Sequence, residues 1–330
     1  MGILSVYATN KSLIQLTTED ICALDILNVA FGVVEEGEIS LKGLTNIERI
    51  KEIRRINPEL KIYLTLASGP KYSFGEASST SEKLEKLVAS VVEVVRVWAF
   101  DGVDVDWEYP SGLEERHQHT LLLKSLRAGL DRIGEEKYRG LSIAAGSKTW
   151  YFEITEIEES VRYLDYVNLM TYDINANALT TMHHTCPTKM NTDLIEEGSV
   201  EENIELFIKR GIPAEKLIIG AAFYSRQWRG VENKNNGLHS YAGTPSDYGP
   251  GYTQLIEEYV DKKGYTYYWD ETAHAPYLFN GDNFITYEDE QSIKYKCYLV
   301  KRWKIAGIMA WEYSYDEKHT LITLMRKELG

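Results

Sequence analysis

Eight short apolar runs rich in β-formers recur along the chain, separated by longer stretches with helical periodicity. They are ILSVY (3–7), ILNVAF (26–31), KIYLTL (61–66), GVDVDW (102–107), LSIAA (141–145), YVNLMTY (166–172), KLIIGAAF (216–223) and GIMAWEY (307–313). One intervening stretch, SEKLEKLVASVVEVVRVWAF, places Leu84, Leu87, Val88, Val91 and Val95 at helical spacing, with Ser81 as the expected N-cap. Strand and helix alternating in this way predict the α/β class and a parallel (β/α)8 TIM barrel. A doubly wound open sheet is the competing topology, but no glycine-rich phosphate fingerprint follows the first strand. At 330 residues, 44% of them hydrophobic, the chain can supply the core of one such barrel.

The spacing breaks once, between strand seven, ending near Phe223, and strand eight, starting near Gly307. A helix expected over 288–304 accounts for part of the gap. Residues 230–287 are too many for an ordinary strand-to-helix connection. They are rich in Tyr, Gly and Asn and include the strand-like piece GYTYYWD. We expect a small α+β insertion domain here, on the catalytic face, with the barrel built from 1–229 and 288–330.

Composition narrows the function classes. Lys and Arg number 36 against 50 Asp and Glu, a net charge of -14. Such a chain repels phosphate backbones and anionic lipid, so neither nucleic acid nor a membrane is an expected partner. Cys22, Cys186 and Cys297 are too few and too scattered for a disulfide framework or a zinc site. No apolar stretch of ~18 residues occurs. The N-terminal residues lack a signal-peptide pattern. The expected location is therefore cytoplasmic, or secreted if a signal peptide was trimmed.

The stretch DGVDVDWEYP, residues 101–110, carries the chemistry. Alternate strand residues share a face. Val103, Val105 and Trp107 suit the helix side, which leaves Asp104, Asp106 and Glu108 pointing into the lumen. Unpaired buried carboxylates are expensive unless they share protons or hydrogen bonds, and no basic residue lies nearby in sequence. Glu108 comes last and so lies at the C-terminal mouth, where barrel enzymes place their chemistry. A carboxyl crowded by others keeps its proton to higher pH and can act as a general acid. Asp104 and Asp106 are expected to titrate as a coupled pair. A hard divalent cation on Asp-x-Asp-x-Glu is the competing reading; tyrosine-rich surroundings suit a sugar better.

Asp101-x-x-Asp104-x-Asp106-x-Glu108 with its trailing Tyr109-Pro110 resembles the acidic signature of the glycoside hydrolase family 18 chitinases, on their fourth barrel strand. Met170-Thr171-Tyr172-Asp173 is similar to the family's sixth-strand motif, Tyr224-Ser225-Arg226-Gln227-Trp228 to its seventh-strand segment, and Gly307–Tyr313 to the eighth, with Trp311 as floor. The resemblance implies a retaining hydrolase of β-1,4-linked N-acetylglucosamine in chitin or chito-oligosaccharides. The substrate's own acetamido oxygen serves as nucleophile and forms an oxazolinium ion. In that scheme Glu108 is acid and base, Asp106 holds the acetamido N–H, Tyr172 orients its carbonyl, and Asp104 shares a proton with Asp106. Asp173, Trp311, Met170, Tyr224, Arg226, Asp101, Trp107, Tyr109, Tyr7 and Phe31 make up the substrate-binding set.

The resemblance further implies no metal or organic cofactor, a monomer, and a cis peptide bond at Trp311–Glu312. Ala67-Ser68-Gly69-Pro70 departs from the family's Ser-x-Gly-Gly, and Ser225 stands where glycine is usual. His183-His184-Thr185-Cys186 is read as a cleft loop rather than a metal triplet. Most insertion tyrosines (Tyr241, Tyr248, Tyr252, Tyr265, Tyr267, Tyr268) are expected in its core, with some lining a cleft that favours exo or processive cutting. An endo-β-N-acetylglucosaminidase, a peptidoglycan or spore-cortex hydrolase and a non-catalytic chitin-binding lectin of the same fold remain the alternatives.

Overall fold

The structure is a computed structural model that describes residues 2–330 except 135–136 and 194–196. In chain order its strands are β1 (Ile3–Thr9), β2 (Ile26–Glu35), β3 (Glu38–Ser40), β4 (Lys61–Ala67), β5 (Gly102–Asp106), β6 (Gly140–Ala145) and β7 (Tyr166–Leu169). There follow β8 (Leu217–Ala222), β9 (Tyr224–Trp228), β10 (Asp247–Gly251), β11 (Thr266–Asp270), β12 (Ala275–Phe279), β13 (Phe284–Thr286) and β14 (Gly307–Trp311). Eight of them pair in parallel in the order β1, β14, β8, β7, β6, β5, β4, β2, and β2 returns to β1. The sheet is thus a closed barrel, and each of the eight runs read from the sequence is one of its strands. The run over 166–172 is only a short strand, because Met170–Asp173 leave the ladder to form the mouth.

Burial of aliphatic faces holds the helices to the barrel. In the helix Ser81–Trp98, Leu84, Leu87, Val88, Val91 and Val95 are all buried. Each contributes ~1.5–3 kcal/mol before chain entropy is set against it. Its N-cap is Thr80 rather than Ser81: the Thr80 hydroxyl accepts the Lys83 N–H, and Ser81 is the first helical residue. The later helix runs Glu290–Trp303 and is capped by Asp289, which accepts the N–H groups of Gln291 and Ser292.

A second, antiparallel sheet joins β10, β9, β13, β12 and β11 in that order. Its strand β9 starts at Tyr224, with only Phe223 between it and β8, so the segment YSRQW read as an extension of barrel strand seven belongs to this sheet. Trp228, Tyr277, Phe279 and Phe284 form one small core under this sheet, and Leu255, Leu278, Ile285 and Tyr287 another. Ser225, in place of the usual glycine, donates its hydroxyl to Pro250 O at 2.7 Å and ties β9 to β10. No helix among the described residues is long and apolar enough to cross a membrane.

Candidate active site

The barrel interior is polar at mid-height. Asp104 on β5 stands level with Thr65 on β4 and Ser142 on β6. Its fully buried carboxylate accepts hydrogen bonds from Tyr7 Oη at 2.9 Å, Ser142 Oγ at 2.6 Å and Asn168 Nδ2 at 3.0 Å. Val103 and Val105 face the helices with no exposed surface, as the alternation requires. Burial is the main influence on Asp104 and raises its pKa, while the three donors pull it down.

One step up the strand, Asp106 has the opposite surroundings. Its Oδ1 is buried without a hydrogen-bond partner among the described residues. Burial, the charge of Glu108 and then that of Asp104 push its pKa well above the carboxylate range, and it hydrogen-bonds to Glu108. Glu108 is open to the cleft but otherwise hemmed in by protein. Burial raises its pKa, Asp173 raises it further, and hydrogen bonds with Tyr109 and Asp106 pull it down. Asp106 thus feels Glu108 most and the expected partner Asp104 next. Asp104 is engaged by three neutral donors, and the carboxyl in hydrogen-bond contact with Asp106 is that of Glu108.

These groups open onto a cleft of about 410 Å³ at the C-terminal mouth, lined by Asp106, Glu108, Tyr109, Met170, Tyr172, Asp173, Tyr224, Tyr7, Phe31 and Trp311 from the expected set. Trp311 forms the floor at one end, with Tyr7 and Phe31 against it at 5.6 and 5.8 Å. Met170 both packs with Tyr7, Met309 and Trp311 and reaches the cleft. The ring of Tyr172 sits over Gly220, where a Cβ would lie 2.7 Å from it, so only glycine lets the tyrosine take this position. Tyr172 Oη has Met309 Sδ as its one contact among the described residues, at 3.9 Å, which leaves the hydroxyl free for a ligand. The bonds Ala30–Phe31, Glu108–Tyr109 and Trp311–Glu312 are cis, the last as the resemblance implied.

Asp173 is held from two sides. Arg226 on β9 grips both its oxygens, at 2.8 and 2.9 Å, and His184 Nδ1 lies 3.2 Å from Oδ1. Burial would raise its pKa, yet these partners hold it well below the usual carboxylate range. Arg226 in turn lies over the ring of Tyr248 at 3.8 Å, so the second sheet closes one wall of the cleft. His183 sits 3.2 Å from Asp270. The His183–Cys186 segment is therefore a loop beside the cleft. No group of three His, Cys, Asp or Glu among the described residues could hold a metal ion.

Two expected site residues lie elsewhere. Asp101 is at the N-terminal end of the barrel, 2% exposed, bound to Arg54 at 2.8 Å, Lys137 at 2.6 Å and the Ile62 N–H at 2.9 Å. It borders a separate depression of about 650 Å³, far from the carboxylate pair, whose polar rim is largely self-paired. Trp107 packs among the helices against Phe74 at 5.3 Å and His119 at 5.8 Å. Conversely, Ser147, Lys148, Trp150, Asn177 and the insertion residue Tyr248 line the cleft, and the sequence reading either omitted them or, for Tyr248, left them in a group. The position of 147–150 just past the C-terminal end of a barrel strand was the available signal.

The model for "Glycosyl hydrolases family 18" matches residues 3–316. The chain is 33% identical over 313 residues to chitinase A1 of Niallia circulans, covering 86% of this chain and 44% of that one. It is 28% identical to a probable endochitinase of Caenorhabditis elegans, over 86% of this chain and 50% of that one. The chain thus spans about half the length of these curated relatives. Among solved structures, a family 18 N-acetylglucosaminidase from Paenibacillus barengoltzii is 41% identical, with a TM-score of 0.96 and full coverage of both chains. Human YKL-39, described as a pseudo-chitinase with retained chitooligosaccharide binding, shares the fold at 21% identity and a TM-score of 0.89. Barrel, mouth carboxylates and match along nearly the whole chain agree, and the protein belongs to the glycosyl hydrolases of family 18.

Proposed function

We propose that this protein is a retaining glycoside hydrolase that cleaves β-1,4-linked N-acetylglucosamine in chitin or chito-oligosaccharides by substrate-assisted catalysis. The observation that carries the reading is the Asp106–Glu108 pair, two carboxyls in hydrogen-bond contact at the cleft with no cation on either among the described residues. One proton is retained there, and Glu108, the member open to the cleft, delivers it to the glycosidic oxygen. The acetamido oxygen of the sugar above Trp311 then attacks its own anomeric carbon. Tyr172 Oη, which lacks a strong partner, hydrogen-bonds that oxygen and orients it. Asp106, with Oδ1 unsatisfied, takes the acetamido N–H and stabilises the cationic ring. Water opens the ring with Glu108 as base, and the anomeric configuration is retained. Asp104 lies beneath the pair, held in place by hydrogen bonds from Tyr7, Ser142 and Asn168.

A second reading within this class is release of single N-acetylglucosamine units from short chains. The full-length likeness to a protein named N-acetylglucosaminidase favours it. Products of end-labelled chitohexaose separate the two readings: random early products exclude the exo reading. A binding-only role is separated by chitotetraose hydrolysis, with NMR of the first-formed anomer. We expect a β product from the wild type and none from Glu108→Gln. Binding by both proteins without cleavage by either would overturn the hydrolase reading.

A further inference from the structure

The cleft holds a cation that the mechanism above does not use. Lys148 follows β6 and lines the cleft together with Ser147 and Trp150. The other basic groups of this site, Arg226 and His184, are committed to Asp173. Among the described residues Lys148 has no carboxylate within ion-pair distance, and its Nζ lies 3.3 Å from Asn175 Oδ1. Glu197 and Glu202 act on it from further away. Glu197 is taken up by the backbone N–H and hydroxyl of Thr149, and Glu202 by the cap at Ser199. Burial disfavours the charged ammonium, the largest influence on this lysine.

The backbone is constrained as well. Lys148 adopts φ +71°, a left-handed conformation unfavourable for a lysine, and its N–H is fixed by Asn203 Oδ1 at 2.6 Å. A strained backbone that aims a half-buried, unneutralised cation into a cleft calls for an anion to complete it.

The place of Lys148 along the cleft says where that anion sits. The floor tryptophan, Trp311, is packed by Tyr7 and Phe31 at one end. At the other, Trp150 meets Tyr109 edge-on at 4.9 Å, and Tyr109 directly follows the acid Glu108. The acid must stand beside the leaving oxygen, so the leaving sugar lies beyond Glu108 from Trp311, against Trp150 and Lys148.

We infer that Lys148 is a specificity-determining residue for a carboxylate on the leaving-group sugar, as borne by an N-acetylglucosamine with a lactyl ether on O3 (N-acetylmuramic acid). The inference rests on the hydrolase reading and extends its substrate class to anionic aminosugar glycans. Two tetrasaccharides test it, chitotetraose and the alternating N-acetylglucosamine–N-acetylmuramic acid chain, which differ only in the lactyl groups. We expect wild type to cleave both, and Lys148→Met to lower the ratio of kcat/KM for the alternating chain over chitotetraose about tenfold, mainly through KM. Added salt should depress cleavage of the alternating chain selectively in the wild type. Cleavage of chitotetraose alone, or equal losses on both chains in Lys148→Met, would overturn the inference and leave the hydrolase reading standing. Cleavage of neither chain would overturn both.

Discussion

One short stretch of chain places carboxylates at both ends of the barrel, and the two ends differ in what they do with charge. At the N-terminal end Asp101 is buried, yet two cations and a backbone N–H satisfy it, and its pKa falls although burial alone would raise it. At the C-terminal end Asp106 and Glu108 have each other and, among the described residues, no cation, and both are shifted upward. Asp104, between them, is met by neutral donors. Burial is the first influence on all four; what differs is the partner. A compensated carboxylate keeps its charge, and an uncompensated one holds its proton to higher pH.

Substitutions at the two ends should therefore separate rate from stability. Glu108→Gln has the largest expected effect, a loss of roughly 10³ in kcat with little change in Tm; an equally large loss of stability would place Glu108 with Asp101 as a structural group. Asp106→Asn should lower kcat on chitotetraose by about 10², and its stability carries a sign. A carboxyl with a raised folded pKa adds stability that is present below its unfolded pKa and lost as pH rises through the folded one. Relative to wild type, Asp106→Asn should thus gain stability between acid and neutral pH, measured by urea unfolding across that range.

Asp101→Ala should do the reverse of Glu108→Gln. We expect it to lower stability by roughly 2 kcal/mol, less than a fully buried pair because Lys137 can return to water, with turnover per folded molecule unchanged. Its pH dependence is opposite in sign to that of Asp106. The lowered pKa adds stability above the ordinary carboxylate range that is lost as pH falls, so the variant should show a shallower acid decline. The smallest effect is expected at the edge of the site. Arg226→Gln leaves Asp173 to His184 alone and should reduce kcat/KM about fivefold, with an upward shift of the Asp173 carboxyl in a carbon-detected NMR titration. No shift there would mean that His184 alone holds Asp173 ionised.

Much of this was legible from local pattern. Eight β-rich runs separated by helical periods specify a closed parallel sheet, because each run needs neighbours on both edges and helices over its outer face. Alternation alone assigned Val103 and Val105 to the helix side and Asp104 and Asp106 to the lumen. The same rule put Trp107 outside, where it packs on Phe74, although the family pattern had drawn it into the site. Less was legible where a group's role depends on residues distant in sequence. Arg54 and Lys137 give no sign in the sequence that they converge on Asp101. Nor does His184 announce Asp173, or the segment YSRQW its place in the second sheet.

What the sequence by itself determined is the barrel, the order of its strands and the face on which the acids stand, since periodicity and side-chain alternation are properties of consecutive residues. Only the tertiary structure decided which acid is neutralised and which keeps a proton, and that among the described residues no carboxylate comes within ion-pair distance of Lys148. Charge compensation depends on distances across the barrel, and those are settled when β5, β6 and β9 bring their neighbours together.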